Sequence, residues 1–169
     1  THLKRDGRVL AWVWAQGISS ETLSLRHTED LCGMRLGLEE TPGIMTVQPE
    51  PGWGPAYGGE APFAPVLFVD DETAEVVGSL TSPAPVAGKA GLCVKRYPTW
   101  TSVYSAAPTL SPEVIRGIAQ LAGVHIWSTG NDPIYVGKRY VGIHAAIAGR
   151  RTLTPPAGSA LVDCFSGRE

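Results

Sequence analysis

The sequence predicts an α/β fold in which strands outnumber helices, and three observations predict it. Residues 101–127, TSVYSAAPTLSPEVIRGIAQLAGVHIW, read as a β-α-β unit with the helix punctuated at both ends. Around that unit, roughly ten strand candidates stand against two helices. A chain of 169 residues that is 43% hydrophobic and 18% charged can bury a core of its own.

The helix of the β-α-β unit is specified residue by residue. Ser111 can accept free amides of the first turn, and Pro112 loses nothing there by lacking an N–H. Glu113 sits where the helix dipole favours an anion. Val114, Ile115, Ile118, Leu121 and Ala122 recur at helical spacing as one stripe, with Arg116 and Gln120 off it. Gly123 supplies a left-handed stop, and Val124, Ile126 and Trp127 follow as a strand. Both flanking strands are apolar enough for burial on two faces, which implies parallel neighbours in a helix-covered sheet.

The remaining elements follow in chain order. RVLAWVWA, from Arg8 to Ala15, suits an internal strand. Ser24 caps a short helix that runs through Leu31 and Cys32 to Gly33. Arg35 to Glu40 and Ile44 to Gln48 read as a hairpin about Pro42-Gly43. Residues 49–65 hold five prolines and four glycines, too many breakers for a regular element, and read as a long surface loop. Val66 to Val69 is a short buried strand ending in Asp70-Asp71-Glu72, a solvated turn. Residues 74–80 and 91–97 pair across a turn region. After the β-α-β unit (101–128), residues 134–169 alternate short strands and turns: Ile134 to Val136, Tyr140 to Ala146, Thr152 to Thr154 and Leu161 to Phe165. The organisation expected is a single module over 1–169.

Composition narrows the function. A formal net charge of −2, with no basic block, argues against nucleic acid as a partner. No apolar run approaches the roughly 20 residues of a membrane span, so no membrane partner is expected. No signal-peptide pattern is visible; the compartment stays open, leaning to cytoplasm. Cys32, Cys93 and Cys164 are widely spaced among apolar neighbours and read as buried hydrophobes. No spacing suggests a metal site, and no motif suggests a cofactor.

Catalytic templates find no match. The carboxylates fall in turns and on helix faces, without the facing pair that glycoside hydrolysis needs. There is no G-x-S-x-G elbow. His125 and His144 lie in apolar, strand-like runs, where a hydrogen-bonded structural histidine is the ordinary reading. Two alternatives stay open. Trp53, Tyr57 and Trp100 lie near loops, where aromatic faces could stack on sugars or on a subunit. Ser102, Ser105 and His125 could form a small hydrolase site at the Ser105–Thr109 turn, since open α/β sheets bind ligands at the carboxyl ends of strands.

Several blocks in order resemble one known family. AWVWAQG followed by a capped helix ending in DLCGM, then SVYSAAPTLSPEVIRGIAQLAGVHIWS, IYVGKRYVGIHAAIAGRRTLTPP and the closing VDCFSGRE are similar to the glutamine-amidotransferase-like domain of bacterial beta-galactosidases and related glycoside hydrolases, called their trimerisation domain. The similarity covers about two-thirds of the chain, best in 101–169. It implies a flavodoxin-like, class I glutamine-amidotransferase-like layered sheet with a C-terminal β extension, begun inside the domain because its first β-α units are absent. It also implies a module without the amidotransferase cysteine machinery. In that family the domain follows a catalytic barrel and helps build the oligomer. The expected partners are therefore a parent barrel and neighbouring subunits of a homo-oligomer, with carbohydrate as the alternative partner. The expected contact residues, for sugar or subunit, are Trp53, Tyr57, Trp100, Ser105 and His125, with no catalytic residue.

Overall fold

The computed structural model describes residues 2–168. They form two compact units, Thr1–Ala122 and Gly123–Glu169. Among the described residues no helix is long and apolar enough to cross a membrane.

The first unit is a strand-rich mixed sheet with two helices. Its strands are β1 (Arg8–Val13), β2 (Leu36–Glu39), β3 (Thr46–Pro49), β4 (Tyr57–Gly58), β5 (Val66–Val69), β6 (Glu75–Ser82), β7 (Ala90–Arg96) and β8 (Trp100–Ser105). The main path runs β1-β8-β7-β6-β3-β4, while β2 pairs with β5, which joins β7 through Val69 and Ala90. Among the described residues only β1 and β8 are parallel, in register from Arg8 with Trp100 to Val13 with Ser105; the other pairs are antiparallel. Register shifts near Gly78 in β6 and between Thr46 and Val47 in β3 curl the sheet.

Helix α1 (Leu25–Cys32) packs against β8, and α2 (Pro112–Leu121) against β1. Ser24 Oγ accepts the Arg26 amide, and Gly33 closes α1 with φ 72°. Ser111 Oγ accepts the Val114 amide; Ala122 ends α2, and Gly123 follows in the left-handed region. The core gathers on the middle strands. Val47, Leu67, Leu80, Leu92, Val94, Val103 and Tyr104 are fully buried, together with Met34, Met45 and Val114. Each large aliphatic among them contributes about 1.5–3 kcal/mol relative to an exposed position.

Four expectations change. Residues 124–127 form no strand, and Val124 is exposed. Both edges of β8 are already taken, by β1 on one side and β7 on the other, so a strand following α2 finds no edge beside β8. The parallel pairing expected of β8 exists, but its partner is β1. That strand lies at the sheet's edge rather than inside it. The segments around Pro42-Gly43 are not a hairpin: β2 pairs with β5, and β3 with β4 and β6. Gly43 instead exchanges backbone hydrogen bonds with Phe63, and a Cβ there would lie 2.4 Å from Pro83 Cγ. Finally, the 49–65 loop contributes β4 and a buried ring, Tyr57.

The stripe on α2 also shifts. Val114 is buried and Ile118 and Leu121 pack on the core, but Ile115 is 53% exposed. The inward face is 114, 117, 118 and 121, the helical i, i+3, i+4, i+7 set, with Gly117 as its small member.

The second unit contains one antiparallel hairpin, β9 (Ile134–Val136) with β10 (Val141–Ile143). Residues 152–154 and 161–165 carry no strand. The final Glu169 of the closing motif, like Thr1, lies outside the described residues. Order here comes from hydrogen bonds: Arg151 pairs with Asp132 and donates to Ile147 O (2.8 Å), and the Thr154 amide donates to Trp127 O (2.8 Å). Arg151 holds the Asp132 carboxyl below its usual range.

Candidate functional site

The carboxyl ends of the parallel strands β1 and β8 are where an open sheet of this kind binds ligands. Three loops meet there: 14–24 after β1, 106–111 after β8, and the 49–65 segment. Sequence reasoning singled out Ser105 and Tyr57, and the structure brings them together. The Tyr57 hydroxyl lies 2.9 Å from Ser105 Oγ, and Ser105 Oγ donates to Ala107 O at 3.2 Å. Tyr57 therefore supplies the proton between the two hydroxyls. Burial pushes the Tyr57 hydroxyl up to about 12. Ser105 is only 2% exposed, so its oxygen presents no open nucleophile. Thr109 Oγ1 donates to Gly58 O (2.6 Å) and fastens the β8 loop to β4.

Ser102 is equally engaged. Ser102 Oγ donates to Cys32 O (2.6 Å), satisfying a carbonyl that the end of α1 leaves free. Lys4 Nζ donates to Asp30 O (2.7 Å) and the Tyr97 hydroxyl to Gly33 O, on the same helix end. His125 belongs to the second unit, where its Nε2 lies 2.7 Å from Thr154 O and its ring meets Trp127 edge-on.

The rings expected to stack on a sugar or a subunit have neighbours of their own. Trp100 is buried, its indole parallel to the Tyr97 ring at 4.6 Å with Lys4 Nζ 4.7 Å from its centroid. Trp53 is half-buried against α2, over Gly117. A Cβ at Gly54 would meet Glu113 Cβ at 2.3 Å, so the same loop approaches α2 at two glycines.

Asp71 is not in a free solvated turn. Its carboxylate accepts from Lys95 Nζ (2.8 Å), the Thr73 hydroxyl (2.6 Å) and amide (3.0 Å), and the Arg35 amide (3.2 Å). Burial alone would raise its pKa, but the donors outweigh it and hold the carboxyl far below the usual range. These groups line a cavity of about 570 Å³ with Glu29, Asp30 and Glu72. With four donors already on Asp71, that end of the cavity is a structural clip between β2, β7 and the 70–73 turn.

The surface with room for a partner lies beside the end of β1. Trp14, Ile18, Leu23, Leu25, Leu38 and Pro65 line a groove of about 560 Å³ with Glu40 among its lining residues. Trp14 anchors it in the left-handed region at φ 52°, a conformation that costs a bulky residue about 1–3 kcal/mol. Four interactions hold it. Its amide donates to Ser105 O (2.8 Å), its carbonyl accepts from the Tyr104 hydroxyl (3.0 Å), its Nε1 donates to Pro65 O (2.9 Å), and its ring meets Phe63 edge-on at 5.6 Å. Leu23 is 79% exposed at the rim. Sequence reading missed this groove because Trp14 looked like one more apolar residue in a strand. The signal available was Gln16-Gly17, one residue further on, which ends β1: Gln16 Oε1 accepts the Val13 amide.

Among the described residues no group of three His, Cys, Asp or Glu side chains is arranged to hold a metal ion. Cys32 and Cys93 are buried, which pushes their thiols up to about 11 and about 12; Cys164, expected to be buried with them, is exposed instead.

No family model matches the sequence, and no curated protein does. Two solved structures are similar in fold. The crystal structure of beta-galactosidase from Bacillus circulans sp. alkalophilus superposes with a TM-score of 0.55 at 17% identity, over 78% of this chain and 21% of that one. The cold-adapted beta-galactosidase from Rahnella sp. R3 superposes with a TM-score of 0.53 at 16% identity, over 89% of this chain and 22% of that one. The chain thus spans about a fifth of the length of these bacterial beta-galactosidases and shares the fold of that part.

Proposed function

We propose that this chain is a non-catalytic accessory module of a glycoside-hydrolase-like, beta-galactosidase-related protein, and that it packs against a parent catalytic barrel and neighbouring subunits. The observation that carries the reading is an asymmetry of surface. Ser102, Ser105, Tyr57 and Asp71 are engaged inside the first unit, while an apolar groove beside Trp14 stays open. Contact by shape and apolar area is what such a surface can do. The likeness to one part of two beta-galactosidases supports placing the chain beside a catalytic domain.

The finer fold reading belongs to the same proposal. We read the parallel β1–β8 pair, with one helix on each strand, as the remnant of a flavodoxin-like, class I glutamine-amidotransferase-like layer whose other strands have become antiparallel. The carbohydrate reading has less support, because Tyr57 and Trp100 are buried and Trp53 is half covered by α2. The test is to assay the 169-residue chain against nitrophenyl galactosides and glucosides. No turnover is expected; hydrolysis that disappears on Ser105→Ala would replace the proposal with a hydrolase.

A further inference from the structure

Among the described residues, 123–168 contain no buried side chain. A hairpin with three residues per strand cannot stabilise itself in water. Yet this segment carries large apolar groups outward: Tyr135 is 68% exposed, Tyr140 76% and Ile147 75%. A segment of this kind is completed by a surface that covers it.

Charge indicates the kind of surface. Residues 1–122 carry thirteen acidic and nine basic side chains, net −4, whereas 123–169 carry five basic and three acidic, net +2. The hairpin's turn, between Tyr135 and Tyr140, is Lys138-Arg139. The apolar groove beside Trp14 lies in the acidic part and has Glu40 in its lining, next to Glu39. An apolar, basic-tipped arm and an apolar groove with a glutamate in its lining are complementary in both respects.

We propose that the groove lined by Trp14, Leu23 and Leu38 seats the β9–β10 arm of a second copy of this chain. The inference rests on the accessory-module reading and names one contact through which such a module would assemble. Tyr135, Tyr140 and Ile147 enter the groove, and Lys138-Arg139 reach Glu40.

Light scattering and sedimentation of the 169-residue chain, from micromolar to submillimolar concentration, test the contact. The wild-type chain is expected to reach a multiple of 17.9 kDa, with association weakening as salt rises. Leu23→Asp in the groove and Tyr140→Asp on the arm should each reduce the mass to that of one chain with an unchanged circular dichroism spectrum. Leu38→Lys and Tyr135→Asp form a second pair should either of the first misfold. Mixing the groove variant with the arm variant should restore association, because each pair then has one intact groove and one intact arm. A wild-type chain that stays monomeric throughout, or a mixture that fails to associate, overturns the contact. Association that survives both single variants also overturns it, while leaving the assembly role to be judged on the parent protein.

Discussion

Trp53 lies across Gly117 so closely that a Cβ added to the glycine would stand 2.8 Å from indole Cε3. This contact ties the Pro/Gly-rich segment 49–65 to the inward face of α2. Gly117 is a poor helix residue, and alanine in its place would gain about 1 kcal/mol in helix propensity if nothing opposed it. The indole does oppose it, at an overpacking cost of about 1–3 kcal/mol. Gly117→Ala is therefore expected to be neutral or destabilising in the wild-type background and stabilising by about 1 kcal/mol in Trp53→Ala. Urea unfolding of the four members of this cycle measures it; additive effects would separate the two residues.

The Tyr57–Ser105 pair predicts an order of effects. Tyr57→Phe removes a donor, but Ser105 still donates to Ala107 O, so the loss is about 1 kcal/mol. Ser105→Ala leaves the buried Tyr57 hydroxyl without an acceptor and costs about 1–3 kcal/mol. Chemical denaturation at neutral pH should rank Ser105→Ala as the worse of the two.

Asp71 and Lys95 set a window of pH. The folded carboxyl is depressed, so its stabilisation is present above the ordinary carboxylate pKa and is lost as pH falls below about 4. For Lys95 burial works against the ammonium, but the bond it donates to Asp71 prevails and raises the folded pKa; that contribution is present below about pH 10 and is lost as pH rises through the folded value. Denaturant midpoints should fall more steeply between pH 5 and pH 3 for the wild type than for Asp71→Asn. Lys95→Met should cost about 2 kcal/mol at neutral pH, since it removes a charged hydrogen bond from a carboxylate whose side chain is 8% exposed.

The thiols predict a count. Burial raises Cys32 and Cys93 and shields them, so at pH 8 a thiol reagent should modify one cysteine of the native chain quickly, Cys164, and all three after denaturation. Peptide mapping identifies which one reacts.

Much of the local structure was legible because single residues dictate it. Ser24 and Gly33 bound α1, and Ser111 with Pro112 starts α2, since caps act within one turn of chain. Strand pairing was not legible. Leu36–Glu39 and Thr46–Pro49 look like hairpin arms, but their partners are β5 and β6, set by which edges the rest of the sheet leaves open. The strand expected at 124–127 failed for that reason. At the candidate site, Ser105 and Tyr57 were chosen as exposed contacts, whereas they find each other in the interior across 48 residues. The Trp14 groove needed a backbone conformation, φ 52°, that no residue type in that position announces.

The proposed role in assembly rather than chemistry is tested by the molar mass of the parent polypeptide with and without residues 1–169. Deletion is expected to leave a smaller assembly whose catalytic domain remains folded. A parent that keeps its full oligomeric mass without the segment would contradict it.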